Sequence, residues 1–145
     1  MAMELLSKEN SGTNGMICSR FVLDTNAVIF LTAKGSIIPI GLQSELNDAD
    51  LFVSVITEIE LFSKQSLPLH EEENLRAFLS DRIFVLNITN AVKKETIALR
   101  RSTRLKLPDC IVAATAIALN AVLLTADTEL LRLDWTGYSV KNLDS

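Results

Sequence analysis

Short stretches of the chain set carboxylates against apolar runs. In "FVLDTN" the run Phe21–Leu23 ends on Asp24, and in "LLTAD" Asp127 follows a second such run. "ITEIEL" carries Glu58 and Glu60, and "LPDC" carries Asp109 directly after Pro108. A carboxylate beside buried apolar sequence is desolvated, and several brought together also repel one another. Hard, oxygen-preferring cations such as Mg²⁺ or Mn²⁺ relieve that cost. The chemistry on offer is therefore hydrolysis by cation-activated water.

The residue types that are missing narrow it further. The one histidine, His70 in "LPLHEEE", reads as a surface residue leading into a helix. Chemistry that uses a pair of histidines is excluded, and no G-x-S-x-G marks a serine hydrolase. The five glycines are scattered singly, so there is neither G-x-G-x-x-G nor a Walker loop. Acids without histidine bases or phosphate loops suggest a phosphodiester as substrate. Each acid also has an ordinary structural role. Asp24, Asp109 and Asp127 all suit helix N-termini, and a helical glutamate is most often solvated.

Positioning such a cluster requires elements of the right kind. "RFVLD", "LFVSV", "IFVLN" and "AVLLTAD" read as strands, being short, apolar and rich in β-branched residues. "NAVIFLTAK", "GLQSELND", "ITEIELFSK", "EEENLRAFLSD", "NAVKKETIALRRST" and "PDCIVAATAIALN" read as helices. "YSVKNL" is expected as a fifth strand at an edge. Strands alternating with helices predict an α/β fold with a parallel sheet flanked by helices, in a single domain. Sites in such sheets lie outside the carboxyl ends of the strands. Asp24, Asp127 and one of Glu58 and Glu60 then share one rim, with Asp109 opening the helix before strand four. Glu58 and Glu60 are two residues apart on a helix, so only one can face that rim.

Composition bounds the partners. A 145-residue chain that is 48% hydrophobic can bury a sizeable core. Its mean hydropathy of +0.28 predicts a largely buried sheet or an apolar face covered by a partner. The net charge of -4 rules out a generic polyanion binder. Six of the fourteen basic residues nevertheless fall in one stretch, as Lys93, Lys94, Arg100, Arg101, Arg104 and Lys106, a local patch able to steer RNA. Cys18 and Cys110 are expected as reduced thiols. No signal peptide is visible, and the longest uncharged run, Cys110 to Ala126, is shorter than the ~20 residues a membrane helix needs. A cytoplasmic location is expected. Residues 1–15 are expected to form a flexible extension and 16–145 the folded domain.

Taken together, "LDTN", "SVITEIEL", "LPDCIVAATA" and "LLTAD" resemble in order and spacing the four signatures of the PIN domain, in particular of VapC-type toxins. The resemblance runs from about Ile17 to the C-terminus. It implies a metal-dependent endoribonuclease of a type II toxin–antitoxin system that cuts structured RNA loops such as those of tRNA or rRNA. It assigns Asp24, Glu60, Asp109 and Asp127 as catalytic and metal-binding acids for Mg²⁺ or Mn²⁺. Asn26 and Thr125 match supporting polar positions, and Glu60 is preferred over Glu58. The implied partners are a cognate antitoxin, the RNA substrate and a second copy in a homodimer, with no membrane. The alternative is a catalytically inactive PIN-fold module that binds RNA or protein. A phosphoacceptor receiver would instead need paired acids after strand one and an aspartate ending strand three, where this chain has Thr25-Asn26 and Asn87.

Overall fold

A computed structural model of the chain describes residues 19–144. The expected N-terminal extension and Cys18 lie outside the described residues. The elements run β1 (Arg20–Leu23), α1 (Thr25–Thr32), α2 (Ile40–Asn47), β2 (Asp50–Ser54), α3 (Val55–Phe62), α4 (Leu69–Arg82), β3 (Ile83–Leu86), α5 (Asn90–Ser102), α6 (Leu107–Leu119), β4 (Val122–Thr125), α7 (Thr128–Arg132) and β5 (Ser139–Asn142). All five expected strands are present, the fifth at an edge as expected. The one-turn α7 is additional. Helix α4 begins at Leu69, ahead of the expected start at Glu71, because Pro68 fits the residue before a helix. This leaves Glu71 and Glu72 in the first turn and moves Glu73 past it.

The five strands form one sheet in the order β3-β2-β1-β4-β5, and every pairing is parallel. The order reverses between β1 and β4. Chain leaving β1 winds toward β2 and β3, whereas β4 and β5 lie on the other side. That junction is the topological switch point at which parallel sheets leave a crevice.

Alternation along the strands sends side chains to two covered faces. On one face Phe21, Leu23, Leu51, Val53, Ile83 and Leu124 pack under α1, α2 and α4, with Val28, Leu46 and Phe78 filling the layer. On the other, Val22 and Leu123 meet α5, α6 and α7 through Val92, Leu99, Val112, Ala113 and Leu130. A sheet buried on both faces accounts for the high hydropathy. Small alanines at 113, 114 and 116 let α6 lie close to the sheet. No helix among the described residues is long and apolar enough to cross a membrane.

Local chemistry fixes where the helices begin at the carboxyl rim. Asp24 caps α1, Ser54 caps α3, Thr89 caps α5 and Asp127 caps α7, each accepting a backbone N–H of the first turn. Residues at or just after the ends of β1, β2, β3 and β4 thus serve as helix starts, which places four capping side chains at one edge of the sheet.

Candidate active site

The four acids expected from the sequence lie near enough for their charges to act on Asp24 and Asp109, and they sit at graded depth. Asp24 is buried, at 8% exposure, Asp109 and Asp127 are half-buried, and Glu60 is exposed. Asp24 ends β1 and its backbone N–H donates to Leu124 of β4. Its Oδ1 accepts the Ala27 N–H at 2.8 Å, and its Oδ2 accepts the Thr125 hydroxyl in a short bond. Thr125 Oγ1 in turn accepts the Asp127 N–H at 3.0 Å. Thr125 therefore supports Asp24 directly and links it to the chain at Asp127.

Asp127 faces its own helix, with Oδ1 accepting the N–H groups of Glu129 and Leu130 at 2.8 and 3.2 Å. Glu60 accepts the hydroxyl of Thr25 at 2.8 Å, which ties α3 to α1. Asp109 stands in the first turn of α6 and has no hydrogen bond to the described residues. Asn26 is exposed and bonds none of the four acids. The hydroxyl that reaches Glu60 comes instead from its neighbour Thr25, a residue of the same "DTN" motif to which the sequence analysis gave no role.

The electrostatics show that Asp24 and Asp109 sense the other acids. Burial raises the Asp24 carboxyl above the ordinary value of 3.8; the Thr125 and Ala27 hydrogen bonds pull it back, and the charges of Asp127 and Glu60 push it up again. Asp109 is raised first by burial and then by the charges of Asp127, Glu60, Asp24 and Glu129. No cation lowers either group, and among the described residues none of the four acids is in an ion pair. The nearby Tyr138 phenol, whose hydroxyl donates to the Leu130 carbonyl at 2.8 Å, is pushed far up by burial and by Asp24, Asp127 and Asp109. A tyrosine near the end of the sequence gives no signal that it joins this neighbourhood.

An uncompensated set of carboxylate oxygens matches the donor preference of Mg²⁺ or Mn²⁺. The acids are not drawn together, however. Among the described residues, no three His, Cys, Asp or Glu side chains are grouped so that they could hold one ion. Direct ligation by one or two carboxylates with water completing the shell is the usual manner of Mg²⁺, and it needs no tighter cage. The hydrogen bonds at Asp24 and Asp127 do not preclude it, since a carboxylate has about four lone-pair sites.

Glu58 takes the other side of α3. It lines a groove of about 330 Å³ with Phe62, Arg76, Leu79, Ser80 and Val85, and none of the four acids borders it. The basic residues Lys93, Lys94, Arg100, Arg101, Arg104 and Lys106 are all exposed. Arg100 is partly committed, donating to the Leu105 carbonyl at 2.6 Å. The others make no side-chain bond to the described chain.

Comparison with known proteins is consistent with this architecture. A family model described as the PIN domain matches residues 21–136. No curated protein matches the chain. Among solved structures, a toxin–antitoxin complex from Klebsiella pneumoniae is 27% identical, covering 81% of this chain and 98% of that chain, with a TM-score of 0.62. DNA-bound VapBC from Salmonella typhimurium is 26% identical, covering 86% and 98%, with a TM-score of 0.67. VapBC2 from Rickettsia felis, bound to a DNA fragment from its promoter, shares the fold at 24% identity, covering 85% and 98%, with a TM-score of 0.67.

Proposed function

The chain belongs to the PIN domain family, and from that premise we propose that it is a VapC-type toxin, a divalent-metal-dependent endoribonuclease held inactive by a cognate antitoxin. The observation that carries the reading is that the charges of Glu60 and Asp127 reach both Asp24 and Asp109 near the switch point and raise those two carboxyls, with no basic side chain lowering them. Residues 16–145 are taken as the PIN domain and 1–15 as an extension without part in the chemistry.

Asp24, Glu60, Asp109 and Asp127 are the residues that would hold Mg²⁺ or Mn²⁺. Bound there, the cation supplies Lewis-acid stabilisation of charge on a phosphodiester and makes water a competent nucleophile near neutral pH. Thr125 holds Asp24 in place, and Thr25 does the same for Glu60. The exposed Lys93, Lys94, Arg101, Arg104 and Lys106, with Arg100, provide the positive field that draws an RNA loop toward an otherwise acidic protein. Structural neighbours that are toxin–antitoxin complexes support an antitoxin partner. A basic side chain of that partner would be attracted by four unpaired carboxylates. Ile29 on α1 and Ile59 on α3 are about half exposed on the helices joined by the Thr25–Glu60 bond, an apolar surface for a covering segment. A homodimer in a cytoplasmic setting completes the proposal.

The separation of the acids favours one alternative, a catalytically inactive PIN-fold module that binds RNA or protein. One experiment separates the two. The purified chain is incubated with labelled tRNA and rRNA in Mg²⁺, Mn²⁺ or EDTA, beside Asp24→Asn. Discrete fragments that require metal are expected, with loss exceeding about 100-fold in the variant, the upper end of what removing a mere supporting partner costs. Binding without cutting by the folded, metal-supplied chain would favour the inactive module. Cutting that survives EDTA and the substitution would overturn the assignment of Asp24.

A further inference from the structure

One hydroxyl in the interior is unaccounted for. Thr57 of α3 is fully buried, and its Oγ1 has no hydrogen-bond partner among the described residues. The other buried hydroxyls of the described residues each make at least one hydrogen bond. Ser54 accepts the Ile56 N–H, Thr125 donates to Asp24, and Thr96 and Thr115 donate to the carbonyls of Val92 and Ile111, each at 2.7 Å. The half-buried Thr32 and Thr103 likewise donate to carbonyls four residues back. Thr57 lacks that outlet because α3 begins only at Val55, so the residue four back, Val53, belongs to β2.

Burying a donor unmatched costs folding free energy, and valine would fill nearly the same volume without that cost. The position of Thr57 indicates what the hydroxyl serves. It stands in the first turn of α3, one turn ahead of Glu60 and on the same side of the helix. Helix α3 packs against both α1, capped by Asp24, and α6, whose first turn carries Asp109. Of the four acids, Asp109 alone accepts no hydrogen bond from the described residues. An unmatched donor and an unmatched acceptor thus occupy the first turns of two packed helices, both at the carboxyl rim.

We propose that Thr57 is a positioning residue for Asp109, its hydroxyl donating to that carboxylate when a divalent cation occupies the rim. The inference rests on the metal-binding reading above. It makes the metal-free protein pay a small stability cost for an acid that is already oriented when the cation arrives. Supporting hydrogen bonds to metal ligands are worth tenfold or more in affinity.

The test uses the full chain and Mn²⁺ titration followed by calorimetry and by the melting temperature, with no RNA present. Thr57→Val is expected to melt at or above wild type without Mn²⁺, yet to bind Mn²⁺ on the order of tenfold more weakly. Thr57→Ser, which keeps the hydroxyl, is expected to retain wild-type affinity. In an Asp109→Asn background, Thr57→Val should weaken Mn²⁺ binding no further. Equal Mn²⁺ affinity in wild type and Thr57→Val overturns the assignment, as does a Thr57→Val chain that melts well below wild type or fails to fold, because the hydroxyl would then already be bonded in the metal-free state. Serine as weak as valine also overturns it, by pointing to the methyl group. Wild type that binds no Mn²⁺ would remove the metal reading itself, an outcome distinct from loss of Thr57 alone.

Discussion

At the level of single residues, two carboxylates of the proposed site fold at a cost. Asp24 and Asp109 are both raised by burial, and Asp109 further by the acids around it. A carboxyl raised in the folded state binds its proton more tightly there than in the unfolded chain. Its contribution to stability is then greatest below the ordinary value of 3.8 and declines as pH rises through the raised value. Asp109→Asn mimics the protonated form, so at pH 7 it is expected to raise the melting temperature. The gain should shrink as pH falls through the raised value, where the native aspartate takes up its own proton, and vanish below the ordinary 3.8. Thermal melts of both chains from pH 4 to 8 check this. A variant that melts below wild type at pH 7 would show that Asp109 is stabilised by a bond this geometry lacks.

Among the elements, the same acids double as helix starts, so charge and cap can be separated by substitution. Asp127 accepts two N–H groups of α7, a helix of one turn with little else to hold its first residues. Asparagine caps nearly as well as aspartate, whereas alanine forfeits about 1 kcal/mol. Asp127→Asn is therefore expected to fold with near-wild-type stability while losing metal-dependent cleavage, and Asp127→Ala to lose both, melting ~2–5 °C lower. Equal stability of the two variants would remove the cap from the account of α7. Thr25 and Thr125 work at this scale as well. One joins α1 to α3 through Glu60, and the other joins the ends of β1 and β4 through Asp24.

For the whole molecule, the proposed RNA substrate would have to be drawn to a chain of net charge -4. Arg101 and Arg104 are exposed and unpaired among the described residues, unlike Arg100, which is tied to the Leu105 carbonyl. Replacing Arg101 and Arg104 with alanine should leave the fold intact and flatten the salt dependence of RNA binding. Each lost phosphate contact on a single strand lowers the slope of log K against log salt by about 0.7, so a change of about 1.4 is expected from filter binding across 50–200 mM salt. An unchanged slope would take both residues out of the RNA path.

The fold class was legible in the sequence because its signals are local. Short β-branched runs between longer helical patterns specify a parallel α/β sheet, and Asp24 and Asp127 mark their helix starts by type, whereas the caps Ser54 and Thr89 were not singled out. The motif order likewise proposed the four acids and preferred Glu60 to Glu58, which lines a groove that none of the four borders. Strand order and register were not legible. Nothing near residue 24 in the chain specifies that β1 will pair with β4, yet the Thr125 hydroxyl that holds Asp24 lies 101 residues away. The buried Arg82, whose Nη2 donates to the carbonyls of Leu46 and Ala49 and so ties α4 to α2, gave no warning either. The contacts of Thr25 and Tyr138 and the unmatched hydroxyl of Thr57 also emerged only in the folded chain. The sequence by itself determined which residue types stand at strand ends, because capping and periodicity act over a few residues. Only the tertiary structure decided which of them face one another, because parallel pairing is settled by burial on both faces of the sheet, a contest between distant segments that no local stretch records.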